Sequence, residues 1–126
     1  MIHELHFTLE EANALLPRVE PMLRDLCTAR DRLTDSEAHE LLATAAPANG
    51  GGGPGRTVGE AFLEVRRLLG GIQALGIVVR DIDRGLIDFP AILDDREVYL
   101  CWEFDEERIA FWHELESGYG GRRPLE

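Results

Sequence analysis

The spacing of apolar residues changes its period at Gly76, and this change divides the chain into two kinds of structure. Before Gly76, apolar residues recur every three or four positions, as on the buried face of a helix. After Gly76, apolar and polar residues alternate, and short acidic or glycine-containing turns separate the alternating runs. Over 126 residues, the two halves predict a single α+β domain.

The first helix has a clear start and a problematic interior. Thr8 and Glu11 have the spacing of a capping box, which predicts that the helix begins at Leu9. Pro17 lacks the amide that would bond back along the helix, and its ring crowds the preceding turn. We therefore expect a short helix up to that proline, a bend near Pro17, and a longer helix that continues to about Ala45.

A glycine-rich segment, residues 46–56, follows this helix. It contains four consecutive glycines but lacks the lysine of a phosphate-binding loop, so it predicts a flexible connector. A second helix is expected from near Thr57 to Gly76, and residues 8–76 would then form an antiparallel two-helix hairpin. The shorter second helix can cover only part of the first. The uncovered seam must pack on the sheet or on a second copy of the chain, and we expect a homodimer.

The second half predicts a four-stranded antiparallel β-meander over residues 77–115, followed by a C-terminal tail at 116–126. The strands are expected at residues 77–80, 86–93, 97–104 and 107–114. Two-residue turns would place Phe89 opposite Leu100, and Leu100 opposite Phe111. One face would then be apolar and meet the helices; its expected residues are Ile87, Phe89, Ala91, Val98, Leu100, Trp102, Ile109, Phe111 and His113.

The opposite, outer face mixes aromatic and charged side chains. We name as the outer-face cluster the residues Arg80, Asp88, Tyr99, Cys101, Trp112 and Glu114. Three interpretations are open: burial against a partner subunit or the C-terminal tail, which we favour; cross-strand pairing of Arg80 with Asp88 and of Tyr99 with Trp112; and a small-molecule or peptide site.

Candidate metal ligands occur in the same region. Asp88, Cys101, His113 and Glu114 carry the carboxylate, thiol and imidazole groups that bind transition metals. Adjacent strand residues point to opposite faces, so His113 and Glu114 should not share one site. The predicted register places His113 on the apolar face, where a histidine is usually a core residue. A second pair, His3 and His6, could ligate a metal only if that segment were helical.

Charge and composition exclude several classes of partner. The formal net charge is −11, and all 13 basic residues are arginine, so nucleic acid and anionic membranes are not expected partners. Arg122 and Arg123 form a local basic pair that could bind an anionic group. The N-terminus lacks the basic start and apolar stretch of a signal peptide, so we expect a cytoplasmic protein. Cys27 and Cys101 lie in apolar surroundings and predict two buried, reduced thiols.

Several segments resemble a known family. They are the opening FTLEEANALLP at 7–17, GLIDFPA at 85–91, VYLCW at 98–102, FWHE at 111–114 and GYGGRRPL at 118–125. The chain resembles the prokaryotic family called domain of unknown function 2203 over nearly its whole length, the glycine-rich connector excepted. The resemblance implies a small stand-alone protein, and it supplies no activity or catalytic residue.

No nucleophile elbow, serine triad or dinucleotide fingerprint is present in the sequence, so we name no catalytic residue and no cofactor. We expect a non-enzymatic binding or protein-interaction module that acts as a homo-oligomer. The alternative is a metal- or small-ligand-binding protein, with or without enzymatic activity, whose site lies on the outer sheet face.

Overall fold

The fold was taken from a computed structural model, which describes residues 1–45 and 53–126. It consists of α1 (Leu9–Ala45), α2 (Gly53–Gln73), β1 (Val78–Asp81), β2 (Leu86–Leu93), β3 (Arg96–Trp102), β4 (Phe111–Glu114), a short 3-10 helix (Tyr119–Gly121) and β5 (Arg123–Pro124). The α+β class is therefore confirmed. Most of the predicted connector, residues 46–52, lies outside the described residues, and α2 begins at Gly53 rather than near Thr57.

Helix α1 begins with the predicted capping box. The Thr8 amide donates to Glu11 Oε1 at 2.9 Å, and the Glu11 amide donates to Thr8 Oγ1 at 3.1 Å. The helix then runs without a break through Pro17 and Pro21, so the predicted division into two helical segments is wrong. Each proline removes one backbone hydrogen bond, and the apolar face buried on both sides of them holds the helix together. The bend itself stays a prediction.

The apolar seam of α1 is buried within the chain. Leu16, Val19, Leu23 and Leu26 belong to one buried cluster that also includes residues of α2 and of the sheet, such as Phe89. These residues of the seam are therefore buried against both α2 and the sheet.

The sheet is an antiparallel meander of five strands in the order β1-β2-β3-β4-β5, where four were predicted. The additional strand is β5, two residues of the C-terminal tail that pair with Phe111 and Trp112. A two-residue strand that contains a proline gives no alternating pattern, and this is why the sequence did not reveal it. The predicted pairing of Phe89 with Leu100 is confirmed.

The predicted pairing of β3 with β4 is wrong by one residue. Leu100 lies opposite Trp112, not opposite Phe111, because residues 103–110 form an irregular connection instead of continuing both strands to a two-residue turn. This connection is held by other contacts: the Ile109 amide donates to Asn13 Oδ1 at 2.8 Å, and Trp102 Nε1 donates to the Glu106 carbonyl at 2.9 Å.

A shift of one residue moves every side chain of β4 to the opposite face of the sheet. His113 therefore lies on the outer face, opposite Tyr99, and Phe111 lies beside it opposite Cys101. Trp112 packs against the helix-facing core instead, and Glu114 shares its side of the strand. The predicted faces of these four residues are all wrong, and the correction assembles the site described below.

Within residues 1–45 and 53–126, neither helix is long and apolar enough to cross a membrane.

Candidate metal centre

Three neighbouring strands each place one potential metal ligand on the outer face. Asp88 of β2 lies directly opposite Cys101 of β3, and His113 of β4 lies diagonally across from Cys101, opposite Tyr99. A carboxylate oxygen, the thiol sulfur and a ring nitrogen all lie within 4.8 Å of one another. Each of the three residues is only 1% exposed. The site is thus preorganised by the sheet and closed to solvent.

The orientation of the His113 ring is fixed by two contacts. Nδ1 lies 2.8 Å from the backbone carbonyl oxygen of Glu114, and Nε2 lies 3.0 Å from Asp88 Oδ1. Because a carbonyl can only accept, Nδ1 carries the hydrogen and Nε2 is the atom directed into the cluster. Metal-ligating histidines typically show this arrangement, with the second nitrogen donating to a backbone carbonyl or a carboxylate.

Asp88 is held from the other side by Arg80. Arg80 Nε donates to Asp88 Oδ2 at 2.9 Å, so the predicted ion pair is present. The two residues are not directly opposed in the ladder, since Val78 lies opposite Asp88 and the register shifts between Val79 and Asp81. One carboxylate oxygen faces the arginine while the other faces His113.

Cys101 is a protonated thiol in the metal-free protein. Burial raises the pKa of Cys101 to about 12, and the negative charge of Asp88 adds to this effect while Arg122 opposes it. A bound cation would lower this pKa and produce the thiolate that coordinates a metal.

The donor set of one sulfur, one nitrogen and one oxygen is typical of zinc and similar ions. With metal–ligand bonds of about 2.0–2.3 Å, tetrahedral ligand atoms lie about 3.3–3.8 Å apart. The ligand atoms lie at most 4.8 Å apart, so movements of at most about 1 Å bring them into this range. Glu114, the fourth candidate from the sequence, is not in the cluster, since its carboxylate pairs with Arg96 at 3.0 Å.

The N-terminal segment, residues 2–6, lies over one side of the outer face. His3 Nε2 is 2.6 Å from the Tyr99 hydroxyl, and the Tyr99 ring lies 5.3 Å from the His113 ring. His6 Nε2 contacts Glu97 Oε2 at 2.7 Å. The segment is not helical, and each histidine has its own partner, so the helix that a His3–His6 metal pair would require is not present.

Glu97 anchors this segment, and no motif in the sequence singled it out. Its carboxylate accepts hydrogen bonds from the backbone amides of Ile2 and His3 as well as contacting His6. Burial raises the pKa of Glu97, but the hydrogen bonds outweigh that effect and lower it to about 2. Glu97 is thus an ionised acceptor that joins the N-terminal segment to the sheet.

The C-terminal tail covers the other side of the face. The guanidinium of Arg122 lies 4.1 Å from the centre of the Phe111 ring and 4.8 Å from that of Tyr119. It pairs with Glu106 at 2.6 Å and with Glu103 at 3.6 Å. Its Nε is buried and has no hydrogen-bond partner among the described residues. Arg123 is exposed and lies over the Trp112 ring, so the predicted basic pair is split.

The structure thus brings together four of the six residues in the outer-face cluster: Arg80, Asp88, Tyr99 and Cys101. Trp112 and Glu114 lie on the opposite face of β4, and the expected pairing of Tyr99 with Trp112 is replaced by Tyr99 with His113. Residues near both ends of the described chain contact the outer face. The contact from the C-terminal tail agrees with part of the favoured interpretation, which expected the face to be buried against that tail or a partner subunit.

Comparisons with known proteins identify a family but no activity. No curated protein matches the chain, and no solved structure matches it. A family profile described as "Uncharacterized conserved protein (DUF2203)" matches residues 6–125, which is almost the entire sequence and includes all three clustered ligands. The chain therefore belongs to the DUF2203 family.

Proposed function

We propose that this protein binds one transition-metal ion, with zinc the best match, through Asp88, Cys101 and His113. The observation that carries the proposal is the convergence of three different ligand atoms within 4.8 Å inside a closed part of the sheet. The proposal develops the second of the two functions considered from the sequence, and it leaves open whether the metal also supports catalysis.

The surroundings of the three residues support a metal site over a purely structural cluster. A structural cluster would hold Asp88, Cys101 and His113 only through their contacts with one another, whereas a metal site also explains why three different ligand atoms converge on one point. Hydrogen bonds from Arg80 to Asp88 and from His113 to a carbonyl are the outer contacts that orient ligands in metal sites. Thiolate and imidazole together favour zinc over magnesium or calcium.

The direct test is elemental analysis of protein purified without a histidine tag or chelator. We expect about one zinc per chain, retained through gel filtration. Cys101→Ser and His113→Ala should each lower the occupancy at least tenfold, because losing one ligand weakens the remaining coordination. Cys27→Ser is the matched control: Cys27 is partly buried and donates to the Ile82 carbonyl, away from the cluster.

Cobalt provides an independent readout of the ligands. A cobalt-loaded protein should show a thiolate-to-cobalt charge-transfer band that Cys101→Ser removes and Cys27→Ser preserves. Metal-free protein that also fails to take up zinc or cobalt would refute the proposal. Equal occupancy in the Cys101 and Cys27 variants would refute it as well.

A protein-interaction role is the second candidate, and one surface feature favours it. Phe62 and Leu63 are neighbours on α2, and they are 52% and 63% exposed. Large apolar side chains at adjacent exposed positions are typical of contact surfaces. A homodimer through α2 predicts twice the monomer mass in light scattering and a shift to monomer in a Phe62→Glu/Leu63→Glu variant; a strict monomer in the unmodified protein contradicts it.

We also propose a reducing compartment such as the cytoplasm, since both cysteines are free and the candidate site requires the Cys101 thiol.

A further inference from the structure

Three protein ligands leave a four-coordinate metal with one position to fill. In such sites the fourth ligand comes from outside the chain, as water or as a bound small molecule. The question for this protein is therefore which kind of ligand its surroundings favour. The inference rests on the proposed metal site, and it concerns the chemistry of that remaining position.

The charges around the site favour an anion. A divalent metal bound by the Asp88 carboxylate and the Cys101 thiolate forms a neutral centre. Arg80 then adds one positive charge, because its only recorded carboxylate partner, Asp88, is already counted as a metal ligand. An anionic fourth ligand would neutralise the centre, and neutral assemblies are the ones that tolerate burial.

A second observation, independent of the ligands, points the same way. Two nitrogens of Arg122 form ion pairs with Glu106 and Glu103, while its buried Nε–H has no acceptor among the described residues. The side chain is only 10% exposed, so water does not freely satisfy this donor. Buried N–H groups almost always have a partner, and the missing acceptor is a feature that needs an explanation.

Arg122 is also close to the candidate metal centre. Its guanidinium lies 4.1 Å from the centre of the Phe111 ring, and Phe111 is the residue directly opposite Cys101. Side chains at directly opposed positions of an antiparallel ladder have Cβ atoms about 4.5–5.5 Å apart. Arg122 and Cys101 thus both lie beside Phe111 on the outer face.

We propose that the fourth metal position takes a small anion of the carboxylate class, which also accepts a hydrogen bond from Arg122 Nε. The three metal ligands are each 1% exposed, so the fourth ligand would lie away from bulk solvent. Arg122 would act as a specificity-determining residue: it would favour anions over neutral ligands without touching the metal.

The test uses the cobalt-loaded full-length protein, titrated with sodium formate and with sodium azide. Each anion should change the visible cobalt spectrum in a saturable manner. Arg122→Lys keeps a cation that can pair with Glu106 but removes the Nε donor. It should weaken anion binding about tenfold or more, because that is the affinity contributed by one charge-assisted hydrogen bond. The matched control is Arg123→Lys, since Arg123 is exposed over Trp112 and should leave anion affinity unchanged.

The outcomes separate this proposal from the metal site itself. Stoichiometric cobalt with a spectrum that neither anion changes would overturn the anion proposal and leave metal binding intact. Equal anion affinity in the two lysine variants would overturn the role of Arg122. If Arg122→Lys does not fold, the titration of the unmodified protein still decides whether the fourth position accepts an anion. Failure of cobalt to bind at all would overturn the metal site and this proposal together.

Discussion

Zinc should stabilise the folded protein strongly, because its three proposed ligands come from three different strands. Unfolding separates Asp88, Cys101 and His113, so the metal binds the folded state in preference to the unfolded chain. At a free zinc concentration of about 1,000 times the dissociation constant, the gain is about 4.1 kcal/mol. With an unfolding entropy of about 2.1 cal/mol/K per residue, 126 residues give a rise in melting temperature of about 15 °C.

The assay is thermal unfolding of metal-free protein, followed by circular dichroism with and without zinc, cobalt or magnesium. Zinc and cobalt should raise the melting temperature, and magnesium should not, because a thiolate is a poor magnesium ligand. Cys27→Ser should respond like the unmodified protein, whereas Cys101→Ala should lose most of the shift. An equal zinc response in Cys101→Ala, or the absence of any response in the unmodified protein, would show that the reasoning is wrong.

Three further predictions concern single residues. In metal-free protein at pH 8, an alkylating reagent followed by mass spectrometry should label Cys27 before Cys101, since burial raises the pKa of Cys101 to about 12; faster labelling of Cys101 contradicts this. Glu97 has a folded-state pKa of about 2, below its usual 4.5, so the stability it contributes is present above about pH 4.5 and lost as the pH falls towards 2. Glu97→Gln should therefore speed amide hydrogen exchange in the N-terminal segment at pH 7. Unchanged exchange would argue against Glu97 as the anchor. Gly85→Ala should lower the free energy of unfolding by about 1–3 kcal/mol in urea titrations, because Gly85 has a φ of 59° and an added Cβ would lie 2.5 Å from a phenylalanine ring. The control is Gly59→Ala, which adds a Cβ into open space on a helix and should be neutral or stabilising. An equal loss of stability in both variants would contradict the argument.

The parts of the fold that follow from local pattern could be predicted from the sequence. The capping box located the start of α1, the change of period at Gly76 separated helices from strands, and the paired aspartates Asp94 and Asp95 set the β2–β3 turn with positive φ angles at both positions. In each case the deciding interactions lie within a few residues of one another in the sequence.

The site could be predicted only in part, because it depends on a long-range alignment. Asp88 and Cys101 were placed together by a two-residue turn, a local feature. The position of His113 depends on how residues 103–110 leave the ladder, and that path is fixed by Asn13 of α1, far away in the sequence. No pattern within β4 reports this contact. An error of one residue was therefore enough to assign His113 to the core.

The same alignment has a consequence for how the protein can change during evolution. One residue inserted in the irregular connection 103–110 can be absorbed there as a wider loop, and the strands on either side keep their faces. One residue inserted between Phe111 and His113 would turn the histidine towards the helices and bring a neighbouring side chain to the candidate metal site. Insertions and deletions in this short strand should thus be selected against more strongly than substitutions, and the number of residues in β4 carries as much information about the site as their identity.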